Sequence, residues 1–91
     1  MMAEQSVQIL NKNGLHARPA AEIVKAASKF KSDITISRED IEVNGKSIMG
    51  VMMLAAECGS SITIRANGPD AEEAARALVD LVATGFGETV Q

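Results

Sequence analysis

The chain contains no tryptophan and no tyrosine, and its 91 residues include only two phenylalanines, Phe30 and Phe86. Sheets and channels that bind single-stranded nucleic acid stack bases on exposed aromatic rings, so this composition argues against them. The net charge of -3 argues against a protein that binds the phosphate backbone, because such binding needs a basic surface. We therefore expect no nucleic-acid partner.

Long apolar runs are also missing, since none approaches the roughly 20 residues that a membrane-spanning helix requires. No basic start followed by an apolar segment suggests a signal peptide. We therefore expect a cytoplasmic protein without membrane insertion. The single cysteine, Cys58, can form no disulfide within the chain and offers no metal-ligand spacing. We accordingly expect no metal and no other cofactor.

The length suits one domain that spans residues 1–91 and leaves no room for a second core. Hydrophobic residues make up 46% of the chain, but fourteen of them are alanines. The core must therefore consist mainly of small aliphatic side chains between closely packed elements. We expect the protein to be a monomer.

Four strands are predicted from alternating apolar residues, the first around Val7 and Ile9 and the others at residues 33–37, 41–43 and 61–66. A first helix is predicted from residue 17 to about 30, because apolar positions recur there at three- and four-residue steps.

Local signals mark where the helices begin. Pro19 suits the first turn of the first helix, and Ser47 is expected to cap a short second helix. Asp70, three residues before Glu73, is expected to open a long third helix as part of a capping box. The order βαββαβα favours a two-layer α+β sandwich with a largely antiparallel sheet covered on one face by helices. We expect the tail from about residue 85 to be mobile.

Positive charge is concentrated around the first helix, although the whole chain is acidic. Residues 12–31 contain five basic side chains and one acidic one, Glu22. The basic residues are Lys12, Arg18, Lys25, Lys29 and Lys31. This field suggests that an anion is handled near the first helix, and the alternative is an ordinary solvated helix face.

His16 is the only histidine, and it lies where the first strand leads into the first helix. A helix start presents unpaired N–H groups and a partial positive charge, which together favour an anion. Near neutral pH an imidazole nitrogen can act as a nucleophile, and the planar guanidinium of Arg18 suits phosphate oxygens. A metal site or a Ser-His or Cys-His pair would need partners that the sequence does not place nearby. The alternative is that His16 only caps the helix and Arg18 is solvated.

Two motifs are specific: residues 14–20 read Gly-Leu-His-Ala-Arg-Pro-Ala, and residues 43–52 read Val-Asn-Gly-Lys-Ser-Ile-Met-Gly-Val-Met. Both resemble motifs of the HPr family, the histidine-containing phosphocarriers of the bacterial phosphoenolpyruvate-dependent sugar phosphotransferase system. The resemblance covers the chain from about residue 6 to 82 in motif spacing and element order.

The resemblance implies an open-faced sandwich with the sheet order 1-4-2-3. It also implies that His16 takes a phosphoryl group on Nδ1 from enzyme I and passes it to a histidine of an EIIA protein or domain. Arg18 would neutralise the phosphate. Ser47 would be a regulatory site for an HPr kinase/phosphorylase, found in Gram-positive and some other members.

A docking surface for these partners is expected beside His16. Met49 is predicted to stay exposed with Leu15 and Ala21, because a short helix cannot bury every side and methionine repacks easily against different partners. The complete set of expected partner-binding residues is Leu15, Ala21, Lys25, Lys46, Ile48, Met49 and Met52.

Three functions are compatible with the sequence. The favoured one is a phosphocarrier with a covalent phosphohistidine, which is not a complete enzyme on its own. The second is a regulatory or nitrogen-branch paralogue that signals phosphorylation state rather than supporting sugar transport. The third is an unrelated α+β interaction module whose histidine only caps a helix.

Overall fold

Residues 1–87 are described by a computed structural model as an antiparallel sheet covered by three helices. The elements along the chain are β1 (Met2–Gln8), α1 (Ala17–Ala27), β2 (Asp33–Arg38), β3 (Ile41–Asn44), α2 (Ile48–Met53), β4 (Ser61–Asn67) and α3 (Ala71–Ala83), followed by a 3-10 turn (Gly85–Gly87). The sheet order is β1-β4-β2-β3, and every neighbouring pair is antiparallel. The predicted α+β sandwich and the strand order 1-4-2-3 are confirmed.

The core lies between one face of the sheet and the helices. In β2 and β4 the residues that alternate inward are fully or almost fully buried, among them Ile36 and Ile64. Alanines fill the same layer from the helices, with Ala20, Ala71 and Ala74 completely inaccessible. Such small side chains allow helices to approach the sheet and one another closely. The predicted small-aliphatic core is present.

Two element boundaries differ from the sequence prediction. The first strand begins at Met2 and ends at Gln8, so Ile9 lies beyond it, although Ile9 is still buried and hydrogen-bonded to the 59–60 loop. Helix α1 ends at Ala27 rather than near residue 30. Lys29 and Phe30 then donate to carbonyl groups three residues earlier, which is the tighter turn common at helix ends. The apolar periodicity continues to Phe30 because these turns still direct that ring toward the core.

Asp70 precedes α3 as predicted, but its side chain makes no capping hydrogen bond, so the predicted capping box is wrong. The carboxylate instead accepts hydrogen bonds from the hydroxyl of Ser32 at 2.5 Å and from the backbone N–H groups of Lys31 and Ser32, each at 2.9 Å. The Ser32 hydroxyl, followed by these N–H groups, lowers the pKa of Asp70 to about 2. The Asp70 carboxylate therefore binds the turn between α1 and β2 instead of capping α3, and it links that turn to the start of α3.

The end of the described chain packs onto the fold. Phe86, in the turn Gly85–Gly87, is only 8% exposed and belongs to the core cluster. The tail from about residue 85 was predicted to be mobile, but Gly85 and Phe86 are buried. Residues 88–91 of that tail lie outside the described part of the chain. Within residues 1–87, no helix combines the length and the apolar character needed to cross a bilayer.

Candidate functional site

His16 is the N-cap residue of α1 and is exposed. Its backbone is extended, with φ -77° and ψ -172°, and its carbonyl accepts the first helical hydrogen bond from Ala20 at 3.0 Å. The imidazole makes no capping hydrogen bond to the helix. The reading in which His16 serves only as a side-chain cap therefore has no support in this geometry.

The turn before His16 fixes where the helix begins. Asn11 is completely buried, and its side-chain Nδ2 donates to the Gly14 carbonyl at 2.7 Å. Gly14 has a φ of +66° and lies against the 56–60 loop, where the Leu15 N–H donates to the Ala56 carbonyl at 2.9 Å. Leu15 itself is inserted into the core. His16 thus follows a residue that is anchored on two sides.

Arg18 and Pro19 complete the first turn of α1. Arg18 is exposed, whereas Pro19 is buried and occupies the third helical position. The first N–H groups of any helix have no intrahelical acceptor, so proline loses no helical hydrogen bond there. The N–H groups and the partial positive charge at this end of α1 lie beside the imidazole of its N-cap residue. These groups suit an oxyanion.

The basic field predicted around the first helix lies at the surface. All five of its Lys and Arg side chains are exposed, whereas Glu22 is half-buried. A shallow concavity of about 380 Å³ is lined by Arg18, Ala21, Glu22, Lys25 and Phe86. Arg18, in the first turn of α1, and Lys25, in its last turn, thus line the same concavity. An approaching anionic group meets positive charge here although the whole chain is acidic.

Ser47 caps α2 as predicted. Its hydroxyl accepts a hydrogen bond from the Gly50 N–H at 3.1 Å, and its backbone has the extended conformation of an N-cap residue. Lys46, one of the residues predicted to bind partners, is half-buried. Its Nζ donates to the Phe30 carbonyl at 2.8 Å, so it ties the turn before α2 to the end of α1.

Helix α2 presents an exposed apolar face, which we call the methionine face. Met49 is 77% exposed and Met53 is 69% exposed, and Ile48 and Met52 are exposed to a smaller degree. Helix α1 packs against α2 and carries the exposed Ala21 and Lys25. Leu15 was expected to lie outside with these residues, but it is only 4% exposed. Its side chain belongs to the core cluster instead, and its N–H donates to the Ala56 carbonyl.

Sequence reasoning missed several residues of this region. In the sequence, Asn11 is typical of any turn. The only signal that its side chain would bond to the backbone before His16 is its position three residues before Gly14. Nothing in the sequence predicts that Ala56 receives the Leu15 N–H. Met53 on the methionine face and the buried Phe86 were also absent from the predicted site, since Phe86 lies in the segment predicted to be mobile. Among residues 1–87, no cluster of three or more His, Cys, Asp or Glu side chains could hold a metal ion.

Comparisons with known proteins agree on one family. A family model described as the PTS HPr component phosphorylation site matches residues 3–84. Phosphocarrier protein HPr of Neisseria meningitidis serogroup A is 51% identical over 87 residues, which cover 96% of this chain and 98% of that protein. A solved structure of HPr from Thermoanaerobacter tengcongensis has a TM-score of 0.92 at 49% identity and covers 97% of this chain and 99% of that one. HPr from Bacillus anthracis has a TM-score of 0.85 at 52% identity, with 89% and 96% covered.

Proposed function

The chain belongs to the HPr family of phosphocarriers of the phosphotransferase system, and on that premise we propose that His16 carries a phosphoryl group from enzyme I to EIIA proteins for sugar uptake. The observation that carries this proposal is the position of His16, exposed at the N-cap of α1 with Arg18 two residues on. Both partners of a carrier must reach the same nitrogen, and an exposed helix start permits this. The role also implies a cytoplasmic location.

The proposed reaction is an exchange of one phosphorus–nitrogen bond for another. Nδ1 of neutral His16 attacks the phosphorus of the phosphohistidine on enzyme I, and the bond between phosphorus and the enzyme I nitrogen breaks. The electron pair of the broken bond stays on the enzyme I imidazole. In the second step a histidine nitrogen of EIIA attacks the phosphorus on His16, and the imidazole of His16 is regenerated.

The protein's part in such a transfer is positioning and electrostatic stabilisation. The phosphoryl oxygens would lie beside the first N–H groups of α1 and the guanidinium of Arg18, where negative charge is favoured. The site must not hold the phosphate too tightly. Each additional ~1.4 kcal/mol of stabilisation of phospho-His16 would lower the equilibrium constant for passing the group on about tenfold. One arginine on an exposed surface suits that limit.

We assign partner docking to the methionine face together with Ala21 and Lys25 on α1. An exposed apolar patch of unbranched side chains can fit the surfaces of two different proteins in turn. Lys25 and Arg18 add positive charge that would attract acidic partner surfaces. Leu15 is left out of this surface because it is buried, and Lys46 is restrained by its hydrogen bond to Phe30.

Ser47 is the proposed regulatory phosphorylation site for an HPr kinase/phosphorylase. A phosphate there would add roughly -1.5 to -2 charge at the start of α2, where a helix end tolerates an anion. Its main effect would therefore fall on docking to the methionine face rather than on folding. Acidic partners would be repelled by the added negative charge.

The carrier role is tested by incubating the chain with enzyme I and labelled phosphoenolpyruvate. We expect an acid-labile phosphate that is absent from His16→Ala, whereas an Arg18→Ala variant should take up phosphate more slowly. Failure of the unaltered chain to acquire label would refute the proposal. Adding EIIA proteins of sugar-specific and nitrogen-related systems separately then decides the branch, because label should leave His16 for the sugar-specific proteins.

A further inference from the structure

A peptide group just before His16 in the chain is hydrogen-bonded through both its carbonyl and its N–H. The peptide that joins Gly14 to Leu15 offers one carbonyl and one N–H group. The carbonyl accepts from Nδ2 of Asn11 at 2.7 Å, and the N–H donates to the Ala56 carbonyl at 2.9 Å. With both groups engaged, rotation of this peptide about its flanking bonds would break at least one hydrogen bond. The orientation of the chain that enters His16 is therefore fixed.

Asn11 is an unusual residue to find inside this core. Among the buried residues of the described chain, Asn11 and Ser32 are the ones with polar side chains, and Asn11 is 0% exposed. Burial of an amide is unfavourable unless it is hydrogen-bonded. Besides its side-chain bond to Gly14, Asn11 accepts the Gly14 N–H with its own carbonyl at 3.1 Å. Asn11 thus closes the turn with two bonds to one residue.

The contact between this turn and the 56–60 loop leaves no spare room. A Cβ atom on Gly14 would lie 2.4 Å from the Ala56 carbonyl oxygen and 3.0 Å from Cα of Glu57. Leu15 is buried immediately after the held peptide. The direction of the His16 Cα–Cβ bond therefore depends on a backbone that is pinned by Asn11, by the 56–60 loop and by the core.

From this geometry we propose that Asn11 is a positioning residue for phosphoryl transfer at His16. The inference rests on the proposed carrier function and adds to it a residue that never touches the phosphate. Transfer requires Nδ1 in line with the phosphorus, and small displacements of a reacting group reduce rates steeply. Docking is assigned to the exposed methionine face, whereas Asn11 is completely buried and presents no surface to a partner. Loss of the Asn11 amide should therefore reduce the maximal rate and leave the apparent affinity for enzyme I unchanged.

The test varies the concentration of the full chain in the transfer reaction from phospho-enzyme I. For Asn11→Ala we expect kcat to fall between ~10-fold and ~100-fold, with KM within about twofold of the unaltered chain. Asn11→Ser is the second variant. Its hydroxyl is one bond too short to replace the amide, but a small polar side chain should lower the free energy of unfolding less than alanine does. It should show the same fall in kcat.

Ile36→Val is the matched control, since it weakens a buried position in β2 and leaves the turn intact. At a temperature where all variants are folded, the control should retain the kcat of the unaltered chain. The inference is overturned if the Asn11 variants transfer at the rate of the control, or if their loss lies in KM alone. A failure of the unaltered chain to take up phosphate would instead refute the carrier function itself.

Discussion

Gly14→Ala measures how closely the turn before His16 is held against the 56–60 loop. Gly14 has a φ of +66°, which L-residues with a side chain rarely adopt. The added Cβ would lie 2.4 Å from the Ala56 carbonyl oxygen, and that oxygen is backbone and cannot rotate away. The loop must therefore move, and the hydrogen bond from the Leu15 N–H to Ala56 would be lost with it.

The expected cost has two parts. The left-handed backbone conformation costs an alanine roughly 1–2 kcal/mol. Leaving the buried Leu15 N–H without its acceptor costs about 1–3 kcal/mol more. A sum of about 3 kcal/mol corresponds to a Tm roughly 12–24 °C lower for a domain of this size.

Gly59→Ala is the matched control, because Gly59 also has a positive φ, +94°, but nothing lies within 4 Å of its added Cβ. It should therefore lose only the backbone part, roughly 1–2 kcal/mol. Urea denaturation followed by far-UV circular dichroism compares the free energies of unfolding of the two variants. Equal losses would show that backbone conformation alone sets the cost and would refute the role given to the contact with Ala56.

Three shorter predictions concern other parts of the molecule. Met49→Asp should slow transfer from enzyme I and to EIIA while leaving Tm nearly unchanged, and unaltered transfer kinetics would remove Met49 from the docking surface. Ser47→Ala should lower the free energy of unfolding by about 1 kcal/mol, since the Gly50 N–H loses its acceptor, and an unchanged urea midpoint would contradict this. Asp70 has its pKa lowered to about 2, so it stabilises the fold above its unfolded pKa near 4, and the stabilisation is lost as the pH falls toward 2. The urea midpoints of Asp70→Asn and the unaltered chain should therefore differ at pH 6 and converge below pH 4, and a difference independent of pH would contradict the shift.

Much of the fold could be predicted because its signals are local. Alternation at Ile34 and Ile36 marks a strand, and the hydroxyl of Ser47 lies three residues before the N–H that it caps. Asp70 carries the same kind of local signal, but there the prediction failed. Its carboxylate found stronger donors in Lys31 and Ser32, which are 38 or more residues away in sequence. Periodicity and spacing contain no information about such competition.

In the candidate site, too, features set by local sequence could be predicted, whereas features set by contacts between distant residues could not. His16 and Arg18 could be selected as candidates because a helix start, a histidine and an arginine occur within a few residues. Leu15 was misplaced because it is buried where its N–H meets the carbonyl of Ala56, a residue distant in sequence. The hydrogen bond of Lys46 could not be predicted for a similar reason, since its acceptor is the carbonyl of Phe30, which is distant in sequence. What the sequence could not supply was therefore the tertiary contact that restrains each side chain.

An exposed nucleophile faces a difficulty that an enclosed one does not. In the proposed carrier role, walls in front of His16 would orient the imidazole, but they would also exclude one of the two partners that the role requires to reach it. The orientation of His16 must therefore be set by the chain that precedes it. Asn11 and Ala56 hold the peptide between Gly14 and Leu15 and leave the imidazole accessible to solvent. Docking to the methionine face then needs to supply only the position of the partner. If His16 is the carrier residue, this division gives a function to the buried amide of Asn11 in a small core that is otherwise almost entirely aliphatic.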